Sequence, residues 1–156
     1  MSNEHMGISL PRPNREMTFM MIAKVISLRG TCLRARVGAV LVKDKRVISM
    51  GYNGALPGEE HCDGESCMAD APCNNTVHAE VNAIYYAARA GIPILGATLY
   101  ATHSPCKRCT EAIIQAGIKE VVYLKEYRET PFELYREVTI RKTENGTRIA
   151  DYFKEI

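Results

Sequence analysis

The sequence predicts an α/β fold built on a mixed sheet, on three observations. Residues 37–42 and 47–50 are short runs rich in Val, Ile and Leu, separated by Lys43-Asp44-Lys45-Arg46, which reads as a solvated turn in a β-hairpin. From residue 77 onward helical and strand patterns alternate, which implies parallel strands with helices on the sheet faces. Gly91, Pro93 and Gly117 fall where the helical patterns stop.

In chain order, residues 1–13 read as a tail, with two prolines near its end, ahead of a single domain over 14–156. Asn14 can cap a helix running to about Arg29, with Phe19, Ile22, Ala23 and Ile26 recurring on one face. The hairpin follows. Residues 54–76 show no period and hold Cys62, Cys67 and Cys73; a loop of this length in a compact domain is functional or tied down. Residues 77–90 read as a helix, 97–102 as a strand, 106–116 as a helix and 120–124 as a strand. A short helix is expected at 132–136. A second hairpin of 138–141 with 147–150, turning at Asn145-Gly146, is expected to close the fold.

Bulk properties bound the function. The chain has 156 residues, 46% hydrophobic and 24% charged, enough for one domain with its own core. Its net charge of +2 is too mild for the concentrated basic face of a polynucleotide binder. A small anionic substrate needs only one or two local cations. Glu4, Arg12 and Arg15 precede any apolar run, so no secretory pattern is read. The apolar stretch at 17–28 is broken by Thr18, Lys24 and Ser27 and falls short of the ~20 residues a membrane helix needs. The expectation is a cytoplasmic protein. In a reducing compartment the six cysteines point to metal binding or catalysis before a disulfide framework.

Two strings carry chemistry: His78-Ala79-Glu80 and Pro105-Cys106-Lys107-Arg108-Cys109, each at the start of a predicted helix. Cys106 and Cys109 are three apart, so their sulfurs share a helical face, where the positive end of the helix dipole favours thiolates. With His78 as third ligand, a zinc ion would keep its fourth tetrahedral position open for water, the arrangement of a catalytic site. Zinc can lower the pKa of that water from about 15.7 to about 7. The two strings together resemble the motif of the zinc deaminases, and that resemblance implies attack of the resulting hydroxide on carbon 4 of a cytosine ring, with Glu80 carrying the proton to ring nitrogen 3 and then to the departing ammonia. Alone, C-x-x-C is also a structural half-site or a redox pair, and H-x-E says little. Together they favour catalysis. His5 and His103 receive no functional role here: His5 lies in the tail, and His103 is near the site but not at ligand spacing.

These strings, with TCLRARVGAVLV at 31–42, GYNG at 51–54, HAEVNAI at 78–84 and IIQAGIKEVVY at 113–123, resemble the cytidine and deoxycytidylate deaminase superfamily over residues 13–127. Asn82 favours its deoxycytidylate branch. The resemblance implies a three-layer α/β/α fold around a five-stranded sheet, and hydrolysis of dCMP to dUMP and ammonia for thymidylate synthesis. It maps zinc onto His78, Cys106 and Cys109, and proton transfer onto Glu80. It puts Asn53 and Tyr127 near the nucleotide and the Ser104 carbonyl at the reacting amino group. Arg89 becomes a candidate for an anionic group or a subunit contact, with Arg34 and Arg36 as weaker phosphate candidates. Other cytosine compounds (dCTP, deoxycytidine) are the alternative substrates, and a non-catalytic zinc module is the alternative class.

Some relatives hold a second, structural zinc at positions matching Cys32 and Cys62; here Cys67 and Cys73 could complete it, the alternative being free thiols. The resemblance also implies a homo-oligomer, hexamer favoured, with dCTP activating and dTTP inhibiting through Gly51, Tyr52, Asn53 and Gly54, accompanied by Mg on the effector. The chain departs from the usual pattern at Gly54-Ala55-Leu56-Pro57-Gly58, where the proline comes one position late. It departs again at Asn75, where arginine is frequent in bacterial relatives. Both departures bear on regulation rather than on catalysis.

Overall fold

The computed structural model describes residues 10–64, 75–127 and 132–155. The elements are α1 (Arg15–Ser27), β1 (Gly38–Lys43), β2 (Arg46–Tyr52), α2 (Ala79–Ala90), β3 (Thr98–His103), α3 (Lys107–Gln115), β4 (Glu120–Lys125), β5 (Thr139–Lys142) and α4 (Gly146–Glu155), with a single 3-10 turn at Phe132–Leu134. The sheet order is β2-β1-β3-β4-β5. β1 runs antiparallel to both β2 and β3, whereas β3, β4 and β5 are mutually parallel. The mixed five-stranded sheet is therefore as expected.

Alternation along the strands divides the core into two layers. Ala39 and Leu41 of β1, Leu99 of β3 and Val121 of β4 pack with Ala79 and Ala83 of α2 and Ile113 of α3. Val40, Val42 and Val122 point the other way, onto Met17, Phe19, Met20 and Ala23 of α1 and Ile149 of α4. Both faces of β1 are thus buried, and each fully buried Leu, Ile or Val contributes about 1.5–3 kcal/mol. The expected apolar face of α1 is shifted slightly. Met17 and Met20 are fully buried, while Ile22 and Ile26 sit half-buried at its margin. The run of methionines blurs the period in the sequence.

Local chemistry fixes the ends. Asn14 Oδ1 accepts from the Met17 N–H at 2.8 Å, capping α1. The β1–β2 turn places Asp44 (φ 51°) and Lys45 (φ 62°) in the left-handed region that a two-residue turn requires. Two glycines permit close layer contact. A Cβ on Gly38 would lie 2.0 Å from the Ala23 carbonyl oxygen of α1, and one on Gly51 would lie 2.4 Å from the Ala79 carbonyl oxygen of α2.

The expected C-terminal hairpin does not form. Residues 139–142 add to the sheet as β5, parallel to β4, and Asn145-Gly146 opens α4 instead of turning a hairpin. The Ile149 N–H donates to the Asn145 carbonyl at 2.9 Å. Ile149, Tyr152 and Phe153, at i, i+3 and i+4, lay an apolar face against α1, and that burial outweighs the local turn preference. Of the expected tail, residues 1–9 lie outside the described residues, and the Pro11 carbonyl accepts from the Tyr152 hydroxyl of α4.

A polar cluster fastens this C-terminal unit to α1. Glu16 accepts from Arg141 Nη2 at 2.7 Å, Thr143 Oγ1 at 2.7 Å and Asn145 Nδ2 at 3.1 Å, while Arg141 Nε reaches Glu120 of β4 at 2.8 Å. Burial alone would raise the Glu16 pKa; the hydrogen bonds from Arg141 and Thr143 outweigh it and hold it below its ordinary value. A depressed carboxyl pKa stabilises the fold above the unfolded-state value and loses that effect as pH falls through the folded one. Glu16→Ala should therefore destabilise the protein by about 1–2 kcal/mol at neutral pH. The difference from wild type should vanish in thermal melts taken below the folded Glu16 pKa. A gap that persists unchanged in acid would show that the carboxylate is not its source.

Candidate metal centre and active site

The site forms where α2 and α3 begin. His78 is the N-cap of α2 and Cys106 the N-cap of α3, both in extended backbone (ψ 151° and 171°), and neither side chain makes the usual capping bond. Both side chains turn toward a common point instead. Cys109, one turn into α3, comes up beside them. His78 Nδ1 lies 3.5 Å from Cys106 Sγ and 3.3 Å from Cys109 Sγ, and all three donor atoms fall within 4.8 Å of one another. At ordinary bond lengths a tetrahedral zinc holds N and S donors about 3.6 Å apart, so one imidazole and two sulfurs fit that ion. Cys109 is buried, Cys106 half-buried and His78 exposed, which walls the centre on one side and opens it on the other.

Glu80 sits on the walled side. It is only 3% exposed, and its Oε2 accepts from Cys109 Sγ at 3.6 Å. Burial pushes its carboxyl pKa above the ordinary value, against the lowering effects of its own backbone N–H and of His78. The two thiols are shifted in opposite directions. Cys106 is held far below the usual thiol range, first by the hydrogen bond from Cys109 and also by His78. Cys109 is driven the other way by that same bond, by burial and by Glu80. The positive ends of two helices add to the stabilisation of negative charge here.

Backbone bonding holds the two helix starts in place. Val77 and Gly54 exchange both N–H···O bonds, at 2.8 and 3.1 Å, tying the residue before His78 to the end of β2. Asn82 Nδ2 donates to the Tyr52 carbonyl at 2.7 Å, Ser49 Oγ to the Ala83 carbonyl at 2.7 Å, and Thr110 Oγ1 to the Cys106 carbonyl at 2.9 Å. Sequence reasoning singled out Asn82 without its role and missed Ser49 and Thr110. Their partners lie in other elements or in the backbone, where no motif marks them.

The remaining expected residues divide. Asn53 is 5% exposed and holds the loop after α1, its Oδ1 accepting from Val37 N–H at 2.8 Å and its Nδ2 donating to Ala35 O at 2.7 Å. Gly51, Tyr52 and Gly54 are built into β2 and its bridge to Val77. Ser104, just before Pro105, is 3% exposed and accepts from the Tyr127 N–H at 2.9 Å. Arg89 is exposed in the last turn of α2, roughly 14 Å along the axis from Glu80, so the fold does not bring it to its own chain's site. Arg34 and Arg36 are exposed in the loop after α1. Neither Cys32, which is buried, nor Cys62, which is half-buried, is in a disulfide; Cys67 and Cys73 lie outside the described residues. Among the described residues, no helix is long and apolar enough to cross a membrane.

A family model described as the cytidine and deoxycytidylate deaminase zinc-binding region matches residues 13–125. ComE operon protein 2 of Bacillus subtilis (strain 168) is 45% identical over 138 residues, covering 85% of this chain and 73% of that protein. The deoxycytidylate deaminase of Mycobacterium phage D29 is 40% identical over 131 residues, covering 75% of this chain and 99% of that one. The crystal structure of dCMP deaminase from the cyanophage S-TIM5, in complex with dCMP and dUMP, matches with a TM-score of 0.74 at 33% identity, over 86% of this chain and all of that one.

Removing a direct metal ligand should weaken binding beyond the 10–100-fold typical of outer partners. Cys109→Ser is expected to lower zinc affinity by at least about 100-fold in chelator competition. Wild-type affinity in that variant would remove Cys109 from the ligand set.

Proposed function

Because the chain belongs to the cytidine and deoxycytidylate deaminase family, we propose that it hydrolyses the exocyclic amino group of dCMP, releasing dUMP and ammonia and supplying dUMP for thymidylate synthesis. One observation carries the reading: a buried carboxyl, Glu80, lies beside three convergent donor atoms with the His78 side open. A carboxyl without a ligand role has no reason to be buried there unless it handles protons.

His78, Cys106 and Cys109 would hold the zinc. When bound, that ion supplies a Lewis acid that makes water acidic near neutral pH. Glu80 does the proton work. Its desolvated carboxyl accepts a proton more readily than an exposed one, so it can take one from the attacking water and pass it to cytosine nitrogen 3. It then assists protonation of the leaving ammonia as the amino C–N bond breaks and the C=O bond forms. The start of α3 positions Ser104, whose carbonyl we assign to the reacting amino group, and Tyr127 is assigned to the nucleotide wall. Asn53 is assigned a nucleoside contact alongside its loop-holding bonds. Arg34 and Arg36 are candidate cations for the phosphate, and Arg89 one only by way of a neighbouring subunit.

The nucleotide assignment is supported by the relatives named deoxycytidylate deaminase or dCMP deaminase. Deaminases of other cytosine compounds are the second reading, and the same relatives favour dCMP over dCTP or deoxycytidine. The same reading includes assembly as a homo-oligomer, hexamer favoured, with dCTP and dTTP as effectors accompanied by Mg, and a cytoplasmic location. It also includes a structural zinc on Cys32, Cys62, Cys67 and Cys73, supported by the need to anchor the long loop.

Three measurements test this. Glu80→Gln should keep its zinc and its melting temperature while losing at least ~100-fold in kcat on dCMP, the low end for a positioned acid–base group. In a panel of dCMP, dCTP, deoxycytidine and cytosine, dCMP should give the highest kcat/KM; deoxycytidine in first place would overturn the nucleotide assignment. Metal analysis of the purified chain should find close to two zinc ions per chain; one ion, lost on Cys109→Ser, would eliminate the structural site.

A further inference from the structure

β3 ends at His103, three residues before Cys106. Leu99 of β3 lies in the core layer shared with α2 and α3, so Ala101 and His103, two and four residues on, face that same layer. This is the layer that carries the metal ligands. The imidazole is pinned there. Thr102 Oγ1 accepts from the Gly38 N–H at 3.1 Å and is hydrogen-bonded to His103 Nδ1 at 2.9 Å, which fixes the orientation of the ring.

The pinned ring meets Tyr127 edge to face, with centroids 6.1 Å apart and planes at 90°, a favoured aromatic geometry. Tyr127 is held a second time through its backbone, whose N–H donates to the buried Ser104 hydroxyl at 2.9 Å. Ser104 in turn donates its N–H to the Lys125 carbonyl at 2.8 Å. The segment leaving β4 is thus clasped to the segment entering the metal centre, with the backbone fixed by Ser104 and the ring by His103. Tyr127 itself stays 43% exposed.

We propose that His103 is a positioning residue for substrate binding: it fixes the Tyr127 ring as one wall of the nucleotide site. The inference rests on the deaminase reading above. His103 acts through Tyr127 and not on the reacting atoms, so its loss should weaken nucleotide binding and leave the chemical step alone. Without the edge-to-face contact the Tyr127 ring gains rotamers, which binding must then restrict.

The test uses the zinc-loaded full chain. His103→Ala should raise the KM for dCMP and the calorimetric Kd for dUMP together by about 2- to 12-fold, the range an edge-to-face pair supports. The kcat should stay within about twofold of wild type. His103→Phe, which keeps an aromatic edge, should restore most of the lost affinity. In a Tyr127→Ala background, His103→Ala should add nothing further. The inference is overturned if the Kd for dUMP is unchanged in His103→Ala, if the loss is undiminished in the Tyr127→Ala background, or if a folded His103→Phe fails to recover binding. Should His103→Ala fail to fold, His103→Phe against His103→Gln in both backgrounds reads the same coupling. A wild-type chain that neither binds dUMP nor turns over dCMP sinks the substrate assignment and this inference with it. Wild-type binding combined with any of the overturning results sinks the inference alone.

Discussion

Everything in the site depends on two helices beginning at the same place. His78 and Cys106 are both N-caps, and an N-cap side chain normally turns back on its own helix to satisfy an N–H. Here both turn outward to a shared point, and Cys109 completes the set within 4.8 Å. Two sulfurs and a buried carboxyl in so small a volume would repel one another if all were ionised. The opposed shifts of Cys106, held low, and Cys109, driven up by Cys106, burial and Glu80, express this. A divalent cation would resolve the conflict without disturbing the frame, because it places a double positive charge where the donor atoms converge.

The sheet supplies the frame. α2 is brought down on β2 through Gly51, where even a methyl group would strike the helix backbone, and it is locked by Ser49 and Asn82 reaching carbonyls across the interface. The Gly54–Val77 bridge sets the height at which the chain enters α2. α3 is placed by the parallel pairing of β3 and β4, whose carboxyl ends lie next to the ligands. Sites of this kind gather at the carboxyl edge of open α/β sheets because the helix starts are there. What this chain adds is an antiparallel front, β2-β1-β3, that brings a second helix start, α2, to that same edge.

The sequence showed most of this, and for a physical reason. The cap at Asn14, the hairpin around Asp44 and Lys45, the helix stops and the H-x-E and C-x-x-C strings are all local signals, each readable within a few residues. The C-terminal unit was misread because its local and tertiary signals conflict. Asn145-Gly146 is a strong turn dipeptide, whereas the apolar spacing of Ile149, Tyr152 and Phe153 matters only once α1 is present to cover it. The Glu16 cluster was invisible for a similar reason: its partners Arg141, Thr143 and Asn145 are more than 120 positions away. The Asn82, Ser49 and Thr102 bonds likewise join side chains to backbone far along the chain, and no spacing rule encodes them.

Asn53 shows why structural and binding roles need not compete. A side-chain amide offers two donors and an oxygen with two lone pairs. The loop after α1 uses one donor, to Ala35, and one lone pair, from Val37. What remains is one N–H and one lone pair on an amide already fixed in orientation and largely shielded from water, at 5% exposure. A group held this way loses little entropy on meeting a ligand, so the bonds that make Asn53 look structural are those that would make it an effective contact. The same reasoning applies to Ser104, whose hydroxyl and N–H are both engaged in the clasp to β4 while its carbonyl is held at the entrance to α3. In this fold the residues around the metal centre are positioned by hydrogen bonds to the backbone, and those bonds leave part of their polar capacity unspent.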